Sequence, residues 1–395
     1  MNKTASPKPA HRDQDLAGER RPRSGQLGGG AGLLPRQEIR KLVHRSVLRA
    51  TEDFAESQYQ PASLDLRLGS RAYRVEASFL PGLRKTVEQQ LRELPHEVVD
   101  LEEGATLEKR SVYVVELLEH LELPETIAAL ANPKSSTGRL DIFTRLIADG
   151  SETFDHVSGG YRGRLYAEVS PRSFRVRVRR GSRLNQIRFR RRNSQHDKHQ
   201  SRSLSDRDLR ELHGQSTLVD GDLNVRHGLV LRVALDGIGP DRLVGYRARR
   251  HTSVLDVDQV GAYQVEDFWE LIRARAGGRL TLDPDEFYIL ASKEKLQIPP
   301  GFAAEMVPIA PEMGEFRVHY AGFFDPGFGY TAHGHPGSRA VLEVRSHEVP
   351  FILEDGQTVG RLAFERMAEE PDSLYGQIGT SNYQGQELKL SKHFR

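Results

Sequence analysis

Cysteine is absent from all 395 residues. That excludes disulfides, thiolate nucleophiles, cysteine-held iron–sulfur clusters and zinc fingers. Long hydrophobic runs are absent as well, and no stretch approaches the roughly 20 consecutive apolar residues of a membrane helix. The first residues lack an apolar signal-peptide segment and set Asp13, Asp15 and Glu19 among their basic groups, so neither a secretory nor a transit peptide is expected and the expected compartment is the cytoplasm. A large charge of one sign is missing too: the formal net charge is +2, which by itself marks neither a nucleic-acid binder nor an enzyme for acidic substrates.

What is present suits two domains of ordinary size. Residues 1 to 34 are rich in Pro, Gly, Ser and charge and are expected to be a disordered tail. Their "GGGAG" is followed by no Gly-Lys-Ser/Thr, so it is not a phosphate loop. "PRQEIRKLVHRSV" then places Ile39, Leu42 and Val43 at helical spacing behind a proline, which predicts a short opening helix. Beyond it, "SLDLRLG", "SVYVVEL", "RLYAEVS", "FRVRV", "LVLRVAL", "EFYILAS", "FRVHYAGFF" and "AVLEVRS" are short, rich in β-branched and aromatic residues, and bounded by Gly or Pro. They predict a mainly β fold, with "TVEQQLREL" and "VEDFWELIRARA" as outer helices.

The β segments repeat. Residues 111–133 align without a gap on residues 286–308, an offset of 175 that also carries Glu168 onto Glu343, Gly181 onto Gly356 and Phe189 onto Phe364. A tandem duplication follows, with copies over 35–193 and 227–395. The polar segment 194–226 between them reads as a linker carrying one short helix around "SDRDLRELH". His196 and His199 lie in that linker as a solvated pair rather than a metal site. From Arg172 to Arg192, arginines partly alternate with Phe174, Val176 and Val178, the pattern of a strand with a solvated basic face, or of a polyanion-binding one.

The early strand signature "QPASLDLRLG", the loop "PKSSTGR", the turn "FFDPGFG" with the following "AVLEV", and the tail "YGQIGTSNYQGQ" occur in that order. Together they resemble the long, two-copy form of the dCTP deaminase family, within the trimeric dUTPase-like all-β superfamily. The resemblance covers most of residues 35–395. It implies two tandem dUTPase-like distorted β-barrel or jelly-roll domains with a few short helices, acting on dCTP as substrate in a homo-oligomer, with no membrane partner and no nucleic-acid partner expected. The first copy keeps the Ser/Arg loop and lacks the closing tail; the second keeps the glutamate strand and the tail while its loop, "PIAPEMGEFR", has no serine pair.

The resemblance therefore implies a composite site, with Glu343, Ser135 and Arg139 as catalytic residues. Nucleotide binding is implied for Lys134, Ser135, Ser136, Thr137, Gly138, Arg139, Val341, Leu342, Tyr375, Asn382, Tyr383 and Gln386. Lys134 stands where the family pattern has arginine and Asn382 where it often has lysine. Glu168 is the positional equivalent of Glu343, either a second catalytic residue or a partner of the arginine-rich sheet.

Hydrolytic deamination needs an activated water at C4, a proton for N3 and the leaving amine, and stabilisation of the tetrahedral intermediate. Zinc deaminases use a His/Cys/Cys set for the first task, which this chain cannot build. A glutamate in an apolar strand, its pKa raised by desolvation, is the expected substitute. No zinc is expected, and Mg²⁺ is expected to accompany the triphosphate. dUTP diphosphatase activity, alone or following deamination, is the nearest alternative, and a non-catalytic nucleotide-sensing or RNA-binding protein is the alternative of another class.

Overall fold

The computed structural model describes residues 30–192, 203–308, 316–319, 322–330, 337–346, 348–377, 379 and 381–395. Among these the fold is mainly β with a few short helices, and no helix is long and apolar enough to cross a membrane.

The duplication is visible as topology. In the first half a central sheet runs His96–Asp100, Leu68–Val75, Val112–Glu122, Arg162–Pro171, Ile142–Ala148, with Leu48–Ala50 added on Val112–Glu122. In the second half the order is Trp269–Arg273, Leu243–Ala248, Phe287–Leu296, Ser338–Ser346, Phe316–His319. Each strand of the second sheet occupies, to within a few residues, the place that the offset of 175 assigns it. A companion sheet in each half is centred on Asn185–Arg191 beside Ile127–Pro133, and on Thr358–Arg366 beside Phe302–Pro308. Alternation explains the burial: in Ser338–Ser346, Ala340, Leu342 and Val344 enter the second core, while Val341 and Glu343 face the other way.

The halves share structure. Val176–Val178 pairs in parallel with Leu255–Asp256 of the second half. Phe174 packs edge-on against Phe268 and Trp269, with ring centroids 5.5 and 5.4 Å apart.

The opening helix, Arg36–His44, forms as its spacing predicts and buries Ile39 and Leu42. Val87–Glu93 forms behind a reciprocal cap in which the Gln89 amide donates to Thr86 Oγ1 at 3.1 Å and the Thr86 amide donates to Gln89 Oε1 at 2.9 Å.

Four expectations need correction. "VEDFWELIRARA" is helical only over Val265–Phe268, then becomes the edge strand Trp269–Arg273; pairing with Leu243–Ala248 and the fully buried Trp269 override its helical spacing. The tail expected over 1–34 is structured from Gly30: Gly32–Leu33 pairs with Arg190 and Arg191, and the Ala368 amide donates to the Leu33 carbonyl at 2.8 Å. Gly32, at φ 137°, is required there, because a Cβ would stand 2.6 Å from the Arg366 carbonyl oxygen. Residues 1–29 lie outside the described residues.

The linker is shorter than 194–226. Helix Asp206–Gln215 is capped by Ser205 and buries Leu209 and Leu212, with Leu218 and Val219, in the second core. His196 and His199 lie outside the described residues.

Finally, the arginines of 172–192 form the expected solvated face only in part: Arg172, Arg175 and Arg177 are exposed between the buried Phe174, Val176 and Val178, whereas most of the later ones are ion-paired. Arg179 is ion-paired with Asp256, Arg180 with Glu102, Arg188 with Asp325, Arg190 with Glu365 and Arg191 with Glu38. Most of these pairs tie the strand to the other half of the chain.

Candidate active site

The Ser/Arg loop is a single helical turn, Ser135–Gly138, entered from the buried strand Ile127–Pro133. Its backbone closes on itself through the Gly138 amide to the Lys134 carbonyl at 2.9 Å and the Arg139 amide to the Ser135 carbonyl at 3.1 Å. This aims Arg139 across the boundary between the halves. The Arg139 guanidinium donates to Gln386 Oε1 at 3.1 Å and to the Lys389 carbonyl at 2.7 Å, and lies 3.8 Å over the Tyr383 ring. A stacked, buried guanidinium of this kind is an arginine's task, because a lysine offers neither the plane nor the fork.

Glu343 comes from the middle of Ser338–Ser346, where Ile289 and His319 flank it in register. It is 6% exposed and lines a pocket with Ser135, Arg139, Val341, Tyr375, Tyr383 and Gln386. Burial pushes its carboxyl well above the usual carboxylate range; Arg139 pulls against this and Asp141 adds to it. Arg139 and Glu343, about 200 residues apart in sequence, thus meet in one chain.

Two ion pairs frame the pocket. Asp141, fully buried, is ion-paired with Arg345, two residues beyond Glu343, and also accepts from the Ser173 hydroxyl at 2.6 Å. Arg188 donates to Asp325 at 2.9 Å and to the Ala304 carbonyl at 3.1 Å, and covers the Phe323 ring at 4.0 Å. Burial raises the pKa of Asp325, and Arg188 opposes the shift. The "DPGFG" turn is held in this way, and Gly329 at φ 65° lets it pass the Leu296 carbonyl.

The C-terminal segment closes over both halves. Tyr375 accepts from the Tyr383 amide at 3.1 Å, and burial raises its pKa. Gln384 Nε2 donates to the Gly327 carbonyl at 3.1 Å, and Gln386 Nε2 to the Arg339 carbonyl at 2.9 Å. Ser391 Oγ reaches the Ser136 carbonyl at 2.8 Å. His393 Nε2 donates to the Val257 carbonyl at 2.8 Å, which fixes the proton on that nitrogen; burial pushes its pKa down to about 4. Phe394 packs against Phe268 and Trp269.

A wider, more open groove adjoins the pocket and shares Ser135, Phe323, Asp325, Tyr375 and Tyr383 with it. Lys134, Ser136, Thr137 and Asn382 line this groove.

Of the residues expected from the sequence, the structure gathers Ser135, Arg139, Val341, Glu343, Tyr375, Tyr383 and Gln386 at the pocket, and Lys134, Ser136, Thr137 and Asn382 along the groove. Two residues are elsewhere. Leu342 points into the second core, as strand alternation demands, and Gly138 is buried behind the loop. Lys134 is not a free charge, because it is ion-paired with Asp65. Glu168 is buried in a closed arrangement with Arg145, at 2.7 Å, and Ser78. The loop 309–315 of the second copy lies outside the described residues.

Sequence reasoning missed Asp65, Asp141, Arg188, Asp325 and Arg345. For Asp325 a signal existed, the "DPG" turn. The ion pairs join residues 137 and 204 positions apart and leave no local signal.

Both halves match family models. Residues 30–193 match the N-terminal domain and residues 205–394 the C-terminal domain of 2′-deoxycytidine 5′-triphosphate deaminase. A crystal structure of 2′-deoxycytidine 5′-triphosphate deaminase from Agrobacterium tumefaciens superposes with a TM-score of 0.81 at 53% identity, over 86% of this chain and 99% of that one. Proteins named "dCTP deaminase, dUMP-forming" are also similar. That of Aquifex aeolicus is 27% identical over 40% of this chain and 80% of its own length. That of Corynebacterium efficiens is 28% identical over 46% of this chain and 89% of its own length.

Proposed function

Because the chain belongs to the 2′-deoxycytidine 5′-triphosphate deaminase family and deaminates dCTP, we propose that it does so at the pocket between its two halves, with Glu343 as the proton carrier. The observation that carries this reading is the buried Glu343, its carboxyl raised by desolvation, facing the Arg139 that the other half supplies.

In this mechanism the cytosine ring enters the closed pocket and the phosphates extend into the open groove. Ionised Glu343 takes a proton from water as the water oxygen bonds to C4, and returns it to N3. Glu343 then carries the proton of the new C4 hydroxyl to the exocyclic amine, the bond from C4 to that nitrogen breaks, and ammonia departs as the 4-oxo ring forms. Ser135 holds the water. Arg139 keeps the Glu343 carboxylate accessible and steadies developing negative charge. Val341 and Leu342 contribute backbone groups to the pyrimidine edge, with Val341 on the pocket wall beside Glu343. Tyr375, Tyr383 and Gln386 exclude bulk water.

The chain has no cysteine with which to build the zinc set of nucleoside deaminases, and we read the chemistry as zinc-independent. For Mg²⁺, no three His, Asp or Glu side chains gather among the described residues, while Asp65 lines the groove with a buried Oδ1 that has no hydrogen-bond partner. That donor set fits an ion held mostly by phosphate oxygens and water, with Asp65 beside it, and it would neutralise the triphosphate next to Asp65, Asp258 and Asp325.

Each half is further read as one dUTPase-like distorted barrel, supported by the two sheets of matching strand order. A homo-oligomer is proposed from the family resemblance alone.

dUTP is the proposed product. The names of the curated relatives favour a second reading, in which the chain carries dUTP on to dUMP. Ammonia and pyrophosphate measured together from dCTP with Mg²⁺ decide the matter: ammonia without pyrophosphate is expected, and equal release of both would establish the dUMP-forming reading.

A further inference from the structure

The residues after Gln386 carry no motif, yet the structure inserts one of them into the open groove. Lys392 lines that groove together with Lys134 and Arg183. Its backbone is pinned on every side. The Lys392 amide donates to the Tyr383 hydroxyl at 3.3 Å, and its carbonyl accepts from the Gly261 amide at 3.0 Å. Its neighbours Ser391 and His393 are fixed to the Ser136 and Val257 carbonyls. The side chain therefore has one place to go.

The neighbouring cations differ in their partners. Lys134 is ion-paired with Asp65, and Arg183 donates to Ser57 Oγ at 3.0 Å. Lys392 makes no ion pair or side-chain hydrogen bond among the described residues. Burial and then the nearby Lys134 lower its pKa, with Asp65 and Asp258 acting in the opposite direction. A half-buried ammonium pressed towards other cations is unfavourable alone, and a polyanion in the groove would relieve it.

Resting on the reading of this groove as the phosphate end of the dCTP site, we propose that Lys392 binds the outer phosphates of the nucleoside triphosphate, opposite the Lys134–Thr137 loop. The C-terminal segment then has two functions: Tyr383 and Gln386 cover the pocket, and Lys392 reads the length of the phosphate chain. A monophosphate bound with its base at Glu343 would not reach Lys392. Selection for a triphosphate over a monophosphate is thus assigned to a residue beyond the closing tyrosine.

The test uses the full chain and initial rates of ammonia release, with inorganic tripolyphosphate as an inhibitor probing the groove alone. Lys392→Ala should raise KM for dCTP and weaken tripolyphosphate inhibition about tenfold, the worth of one charge-assisted contact, with kcat within about twofold. Lys392→Arg should restore most of both. Lys134→Ala is the control for the groove itself. If Lys134→Ala raises KM and weakens inhibition while Lys392→Ala does neither, the groove reading stands and the assignment of Lys392 is overturned. If neither variant changes either quantity, the phosphate-end reading of the groove fails, and the proposal fails with it. A fall in kcat and melting temperature that Lys392→Arg does not rescue would show a structural role and also overturn the proposal.

Discussion

Glu343→Gln is expected to lower kcat for ammonia release from dCTP by about three orders of magnitude, within the range that a positioned acid–base group contributes, while dCTP still binds. The amide preserves the side chain's size inside a buried pocket and removes only its capacity to take and return a proton. The pH dependence follows from the same group. Glu343 must be ionised to accept the water's proton, so activity falls on the acid side as it becomes protonated. Because burial raises its pKa, that limb should lie at a higher pH than an ordinary carboxylate would give. Arg139→Met, which removes the opposing cation, should move it higher still. The control is Glu168→Gln. Glu168 occupies the duplicated position but is held by Arg145 and Ser78, so ammonia release should stay within a few-fold of wild type. Equal losses in the two variants would contradict the division of roles between the copies.

Arg345→Ala should be the most destabilising single change beside the site, by about 3–5 kcal/mol, the usual consequence of removing one partner of a buried ion pair. Asp141 is fully buried at φ 56° and would keep the Ser173 hydroxyl while losing the guanidinium that balances its charge. The loss falls on the contact between halves, since Asp141 follows the Ser/Arg loop and Arg345 follows Glu343. Denaturant unfolding should show a lowered midpoint, and the double variant Asp141→Asn, Arg345→Met should recover part of the stability by removing both charges. Its failure to exceed the single variant would show that the pair is not what holds the two halves together here.

The strands and their order were legible because both copies write them with the same alternation, and because a gapless offset of 175 makes each copy a check on the other. "VEDFWELIRARA" misled because helical spacing of Phe268, Leu271 and Ile272 competes with an edge pairing that only the folded sheet provides. The segment 203–226 looked like a linker because its polar majority hides the few residues, Leu209, Leu212, Leu218 and Val219, that reach the core.

Within the site, the glutamate, the Ser/Arg loop and the tail were visible as motifs. The groups that place them were not. Arg188 read as one arginine among many in a basic strand, whereas in the fold it fixes Asp325 and the turn that Tyr375 docks on. Lys392 sits beyond the last motif, and its role depends on backbone anchors in two distant segments.

We propose that one chain builds a whole site from its two unlike halves. Co-expression of two differently tagged full-length chains, one Arg139→Ala and the other Glu343→Gln, would decide this. Purified through both tags in turn, the mixed assembly should release no more ammonia from dCTP than the parent variants, because every site then lacks one of the two residues. Recovery of a substantial fraction of wild-type activity would mean that Arg139 and Glu343 meet between chains, and would contradict the site described here.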